Sequence, residues 1–325
     1  MTGRYVAMRL IQAAVTVFLV ATLTFLAVHL APGDPLQVLQ DSPRVAANDV
    51  AQLRRLYHLD QPVWTQYAYY VVQLAHLDLG YSFGQHRPVL DALVEALPAT
   101  VELALAAICV MFGLGVGIGA YQGAHANSPL DRMFSAGALV LWAAPSFWLA
   151  LLLIVVFVER LHLLPAVGAV DVGVYDSLGL FAQVLDRLRH LVLPGLTLGL
   201  IGAGYLSRYQ RTAMRAALSQ PFVRAARARG LTNATVLLRH ALRNALLPAV
   251  AIFGVELPSL LSGAVIVEPV FGWPGMGRLA AGAIFQRDYP LVTGAAILAA
   301  TVVVAGTLVA DLLAHLVDPR LRTPA

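Results

Sequence analysis

Lysine is absent from this 325-residue chain; all 22 of its basic residues are arginine. That absence excludes two chemistries. The phosphate-binding loop of nucleotide hydrolases needs the lysine of GxxxxGK[ST], and Schiff-base catalysis needs a lysine amine. The chain is therefore no conventional P-loop ATPase. Cysteine is nearly absent as well: Cys109 stands alone in an apolar run and can form neither an internal disulfide nor a cysteine-based metal site. No HExxH, GxSxG or cysteine cluster occurs, and the nine histidines include no i,i+4 pair. His29, His190 and His315 fall near the ends of apolar runs and read as interfacial. Neither an enzymatic activity nor a cofactor or metal of its own is expected of this chain.

Charge is scarce too. Only 12% of residues are charged and the mean hydropathy is +0.73, far from the composition of a soluble domain. Six runs approach the roughly 20 apolar residues that span a bilayer as helix, at about 10–30, 99–121, 134–158, 190–207, 245–267 and 290–313. The fourth is the weakest, being short and interrupted by Pro194 and several glycines. The first is too long for a signal-peptide core and is followed by "LAPGDP" rather than a small-residue cleavage site, so it reads as an uncleaved anchor. With both termini inside, the inside segments hold 13 arginines, and their acids outside the spans are Asp131 and Asp318. The outside segments hold 9 arginines against 13 acids. The reverse orientation would expose the most basic loop, against the positive-inside bias. The expectation is an all-α membrane protein of six spans, N-in and C-in, in the cytoplasmic (inner) membrane of a prokaryote.

The outer segment 31–98 is too long for a simple loop. After Ser42-Pro43, Val50, Leu53, Leu56 and Tyr57 share one helical face; after Pro62, Val63, Tyr67, Val71 and Leu74 make a second stripe. Trp64, Tyr69 and Tyr70 beside it suit the membrane interface, and a small helical extracytoplasmic region follows. In "GLGVGIG" (113–119) glycines four apart permit close helix approach. Pro145 and Pro258 should bend the third and fifth spans.

Ionisable groups in a span are costly, on the order of 3 kcal/mol or more, and are functional candidates by default. Glu102 and Asp311 lie near span ends and are most simply partly hydrated. Glu256 sits mid-span and, with Tyr205, is the candidate for the substrate path.

Between Asp186 and Glu256 there is no acid at all, while eight arginines fall between Arg208 and Arg243. Within this stretch Ser219 is a plausible N-cap and Pro221 an early helical residue of a short helix. Gly230 supplies a left-handed stop, and Thr232 or Asn233 caps a second helix running into the fifth span. Arg224, Arg227 and Arg229 decorate this elbow, while Phe222, Val223 and Ala226 offer an apolar contact face. Lipid headgroups would need the charge but not the elbow. Nucleic acid is disfavoured because no aromatic-rich or groove-entering element accompanies the charge. A protein partner that pushes on the elbow accounts for charge, apolar face and rigidity together.

The segment "FVRAARARGLTNATVLLRHALRNALLP" resembles the cytoplasmic coupling loop of binding-protein-dependent ABC importer permeases, in particular their dipeptide/oligopeptide/nickel branch. Those permeases carry Glu-Ala-Ala, three residues, then Gly; Arg224-Ala225-Ala226 and Gly230 keep that spacing, with arginine in the glutamate position. "LAPGDP" (30–35), "YHLDQPVWTQY" (57–67), "LDLGYSF" (77–83), "RPVLDALVEALPATVELALAA" (87–107), "EPVFGWPGMG" (268–277), "RDYP" (287–290) and "DLLAHLVDPRLR" (311–322) are similar to the same branch, in order.

The resemblance implies a type I ABC importer permease fold: a tail and first span (1–30), an extracytoplasmic helical region (31–98), a transmembrane core (99–316) with a coupling loop (208–244), and a cytoplasmic tail (317–325). It implies a homologous second permease, two ABC ATPase subunits that bind the ATP and Mg, and an extracytoplasmic solute-binding protein, besides membrane lipid. Phe222, Arg224, Ala225, Ala226, Arg227 and Gly230 would form the ATPase-coupling surface. The implied cargo is peptide, with nickel or glutathione as alternatives. Two rival readings are a secondary transporter using Glu256 and Asp311 as ion carriers, and a membrane scaffold without flux. "GWPGMG" is either a loop dipping toward the path or a simple turn.

Overall fold

In lipid the backbone must satisfy its own hydrogen bonds, so apolar runs become helices. The computed structural model describes residues 3–30, 54 and 60–317. The stripe expected after Ser42-Pro43 and the tail beyond Val317 lie outside the described residues, as does the side chain of Asp311.

Helix α1 is Gly3–Leu30 and α2 is Val63–Ala75. A two-stranded hairpin, β1 (Tyr81–Ser82) and β2 (Arg87–Pro88), leads into α3, Val89–Ala124. Then come α4 (Pro129–Ala143), α5 (Ser146–Arg160) and α6 (Leu180–Leu218). The elbow holds α7 (Pro221–Ala228) and α8 (Asn233–Ala245), followed by α9 (Leu247–Leu261). Short α10 (Val267–Val270) and α11 (Met276–Phe285) precede α12, Tyr289–Val317. Among the described residues four helices are long and apolar enough to cross a membrane, and there are six spans if the bent pairs α4/α5 and α8/α9 each count as one. The all-α, six-span expectation holds on that count.

The chain divides into two compact units. The first comprises residues 1–100, 262–265 and 274–304. In it α2 docks on α1: the Thr22 and Tyr67 hydroxyls share a hydrogen bond of 2.8 Å, and the Phe25 ring lies 5.3 Å from Tyr67 and 5.1 Å from Tyr70. His29 stacks on Phe25 at 3.9 Å and bonds Gln66 at 3.0 Å, so it is tied into this contact. Tyr70 is thus turned onto α1, whereas Trp64 is 77% exposed. Burial, ahead of the neighbouring Tyr67, pushes the Tyr70 phenol up to about 12. The core of this unit joins Val89, Ala92 and Leu93 to Ala283, Leu291 and Ala295. α3 begins ten residues before the span expected at 99, and Pro98 sits within it without ending it.

The second unit comprises 101–261, 266–273 and 305–325, and α6 is its axis. The weak hydropathy of the fourth run has a simple cause: α6 is packed against protein. A Cβ at Gly199 would come 2.5 Å from the Val110 Cβ, and one at Gly204 would come 2.7 Å from the Ala138 carbonyl oxygen. From the other side, Cβ atoms at Gly115 and Gly119 would come 2.9 Å from the Leu206 Cβ and 2.5 Å from the Ser207 carbonyl oxygen. Gly113 and Gly117 of the same motif face open space.

The chain turns by 109° between α4 and α5, at Pro145, which is extended at ψ 136. The fifth span bends by 46°, but the break lies at Leu246 and not at Pro258, which sits inside the continuous α9. Pro248 has no N–H to return to the Asn244 carbonyl and restrains Leu247 before it, which permits a break at this point.

Candidate coupling surface and translocation path

The elbow follows from its residues. Ser219 does not cap α7; it ends α6, and its hydroxyl donates to the Ala216 carbonyl at 2.8 Å. Gln220 takes the N-cap position with extended backbone, and Pro221 is the first helical residue, where its missing N–H costs nothing. Gly230 adopts φ +78, the left-handed stop, and its amide bonds the Arg227 carbonyl at 2.9 Å. Thr232 then caps α8 by accepting from the Thr235 amide at 3.3 Å. Residues 236–241 widen into a π-turn before α8 resumes its regular form.

The eight-residue α7 has a two-sided sequence. Val223 and Ala226, at i and i+3, are buried against Met214, Ala217, Val236, Ala241 and Ala245. They root the elbow in its own core and are not an outward contact face. Phe222, Arg224, Ala225 and Arg227 are exposed, as is Gly230. Arg224, Arg227 and Arg229 make no ion pair among the described residues.

The path candidates lie deeper. Tyr205, half-buried on α6, packs at the cluster of Met111, Leu206 and Ala249, which Ile252 of α9 also joins. Glu256 lies one turn beyond Ile252 on the same face of α9 and is half-buried. The Tyr205 and Tyr209 rings are 4.8 Å apart. Glu102, by contrast, pairs with Arg187 at 2.8 Å, both more than a third exposed. In "EPVFGWPGMG" residues 268–270 belong to α10, and the chain turns at Gly272, φ +60, with Phe271 and Trp273 fully buried.

One polar pair is not evident from the sequence. Arg211 of α6 meets Asp131 of α4 in a bidentate contact, Nε to Oδ1 and an Nη to Oδ2, both 2.7 Å. Asp131 lies in the first turn of α4, ahead of the apolar run. The sequence signal was indirect: Asp131 is one of two inside acids outside the spans, set against 13 inside arginines.

Apolar helices long enough to cross a membrane, joined by a basic elbow, define a multi-pass membrane protein. The chain belongs to the family of binding-protein-dependent transport system inner membrane components, the permeases of ABC importers: that family matches residues 113–323, and its N-terminal part matches residues 2–104. The dipeptide transport system permease protein DppB of Escherichia coli K12 is 35% identical over 318 residues, covering 93% of this chain and 94% of that one. The di/tripeptide transport system permease protein DppB of Pseudomonas aeruginosa UCBPP-PA14 is 37% identical over 331 residues, covering 98% of each. The glutathione transport system permease protein GsiC of Escherichia coli O6:H1 is 35% identical over 320 residues, again covering 98% of each. Membership displaces the secondary-transporter and scaffold readings and places the chain in the inner membrane.

Proposed function

We propose that the chain forms half of an ATP-driven import path for short peptides. A homologous second permease supplies the other half, two ATPase subunits bind from the cytoplasm, and an extracytoplasmic solute-binding protein delivers the cargo. The chain itself hydrolyses nothing and holds no cofactor; ATP and Mg belong to the ATPases. What supports peptide as cargo is the common naming of relatives that match nearly end to end. Glutathione, itself a tripeptide, falls within the same class. The domain division drawn from the sequence is kept with this reading: first span, outer helical region, core with its coupling loop, tail.

The observation that carries the coupling role is the two-sided elbow. Val223 and Ala226 fix it to the core, while Phe222, Arg224, Ala225 and Arg227 stand outward and Gly230 sets the angle. Closure of the ATPases presses on that surface, and α6 and α9, joined through the elbow, move and open the path outward. Hydrolysis returns it inward. Tyr205 and Glu256, on facing helices, line the path and offer aromatic and acidic contacts to a peptide and its ammonium end.

The test is uptake into proteoliposomes holding both permeases and both ATPases, with the solute-binding protein outside and ATP within. Dipeptide uptake should need every component. Uptake that persists without the ATPases, or that collapses with a protonophore while ATP remains, would sink this reading. Glutathione and nickel offered as competing cargo decide the substrate.

A further inference from the structure

The elbow touches only part of the bundle, and pressure on it must reach α4 to move the core as a body. Met214 and Ala217 of α6 pack on the elbow's buried residues Val223 and Ala226. Arg211, one turn before Met214, holds Asp131 of α4 with two 2.7 Å bonds. Asp131 is 1% exposed and is held from several further sides. Its Oδ2 also accepts from the Asn127 amide at 2.8 Å, and its own amide donates to the Ser128 hydroxyl at 3.1 Å. Gln122 of α3 donates its amide to the Asp131 carbonyl at 3.1 Å and to Ser135 at 2.9 Å. The end of α3 is pressed onto the same turn of α6, since a Cβ at Gly123 would lie 2.5 Å from the Met214 Cβ. Three helices therefore meet in one polar knot, one turn from the root of the elbow.

We propose that Asp131 and Arg211 are positioning residues for coupling: a strut that makes α4 follow α6 when the elbow is pushed. A packed apolar contact can slide under such a load, whereas a bidentate guanidinium–carboxylate pair fixes both distance and angle. The inference rests on the elbow being the coupling surface.

The experiment compares Asp131→Asn, Asp131→Glu and Arg211→Lys in the reconstituted complex, reading peptide uptake and ATP hydrolysis per assembled complex. Asp131→Asn should keep ATP hydrolysis stimulated by the loaded binding protein but lose about tenfold in peptide taken up per ATP. Asp131→Glu and Arg211→Lys, which keep the charges, should recover part of that ratio. An unchanged ratio in assembled Asp131→Asn complexes would overturn the proposal, because a purely structural role lowers the amount of complex and not the ratio. If Asp131→Asn fails to assemble, the doubly neutral Asp131→Asn/Arg211→Gln chain removes the lone buried charge. Full coupling in that variant would equally overturn the strut. Gly230→Val is measured alongside. If it uncouples and Asp131→Asn does not, the strut alone falls; if neither uncouples, the elbow reading falls with it.

Discussion

Ser82 and Asp288, 206 positions apart, are joined through a hydrogen bond from the serine hydroxyl to a carboxylate that is itself 1% exposed. The same Asp288 oxygen accepts from the Gly84 amide at 2.9 Å, and its other oxygen accepts from the Leu291 amide at 3.3 Å in the first turn of α12. One carboxylate thus pins the β1/β2 hairpin and caps a membrane helix. Replacing Asp288 by alanine orphans the buried Ser82 hydroxyl, at about 1–3 kcal/mol, and leaves the amide of the exposed Gly84 to solvent. The Asp288→Ala chain should melt lower in detergent and be cut sooner by protease within 76–88. Ser82→Ala, which leaves the carboxylate its amide partners, should cost less.

Gly230 has nothing within 4 Å of where a Cβ would stand, so the space for a side chain is free and only its φ of +78 resists one. An L-residue in the left-handed region costs roughly 1–2 kcal/mol, least for asparagine and most for β-branched side chains. Gly230→Asn should therefore keep most peptide uptake, and Gly230→Val should lose most of it while ATP hydrolysis continues. Equal uptake by the two variants would show that the elbow angle does not matter.

Val223 and Phe222 are adjacent but have opposite roles. Val223 is 0% exposed in the elbow's root, whereas Phe222 is 37% exposed. Val223→Ala removes buried methyl groups and should cost about 1–2 kcal/mol, seen as faster amide exchange across 219–235. Phe222→Ala should leave that exchange unchanged and weaken only binding of the ATPase subunits. A slowed or unaltered exchange in Val223→Ala would contradict the assignment of Val223 to the core.

How far the sequence could be read followed the range of the interactions. Local signals were legible: the apolar runs, the left-handed stop at Gly230, a cap at Thr232 or Asn233 and the break at Pro145 each depend on a few neighbouring residues. The bend near Leu246 was misplaced because Pro248 and Pro258 look alike in sequence, and only packing decides which one interrupts the helix. Ser219 looked like a cap for the same reason, though its hydroxyl turns back to Ala216. Val223 and Ala226 looked like contact residues because an apolar face reads the same whether it meets a partner or its own core. The pairs Asp131–Arg211 and Ser82–Asp288 join residues far apart in the chain, and no local periodicity announces them.

Gly199 and Gly117 separate close approach from open space. A Cβ at Gly199 would lie 2.5 Å from the Val110 Cβ and 2.9 Å from the Ala107 carbonyl oxygen, both too short for a real contact. The Ala107 backbone cannot swing aside as a flexible side chain can, so α6 and α3 would have to separate. Overpacking of this kind costs typically 1–3 kcal/mol. At Gly117 a Cβ meets nothing within 4 Å of this chain, and alanine improves helix propensity by up to about 1 kcal/mol. Gly199→Ala should therefore lower the melting temperature of the purified chain in detergent, and Gly117→Ala should hold it or raise it. If Gly117→Ala proves neutral in the chain alone yet prevents assembly of the complex, that face of α3 is where the second permease packs. If Gly199→Ala is as stable as the unaltered chain, the close approach of α6 and α3 at Val110 is wrong.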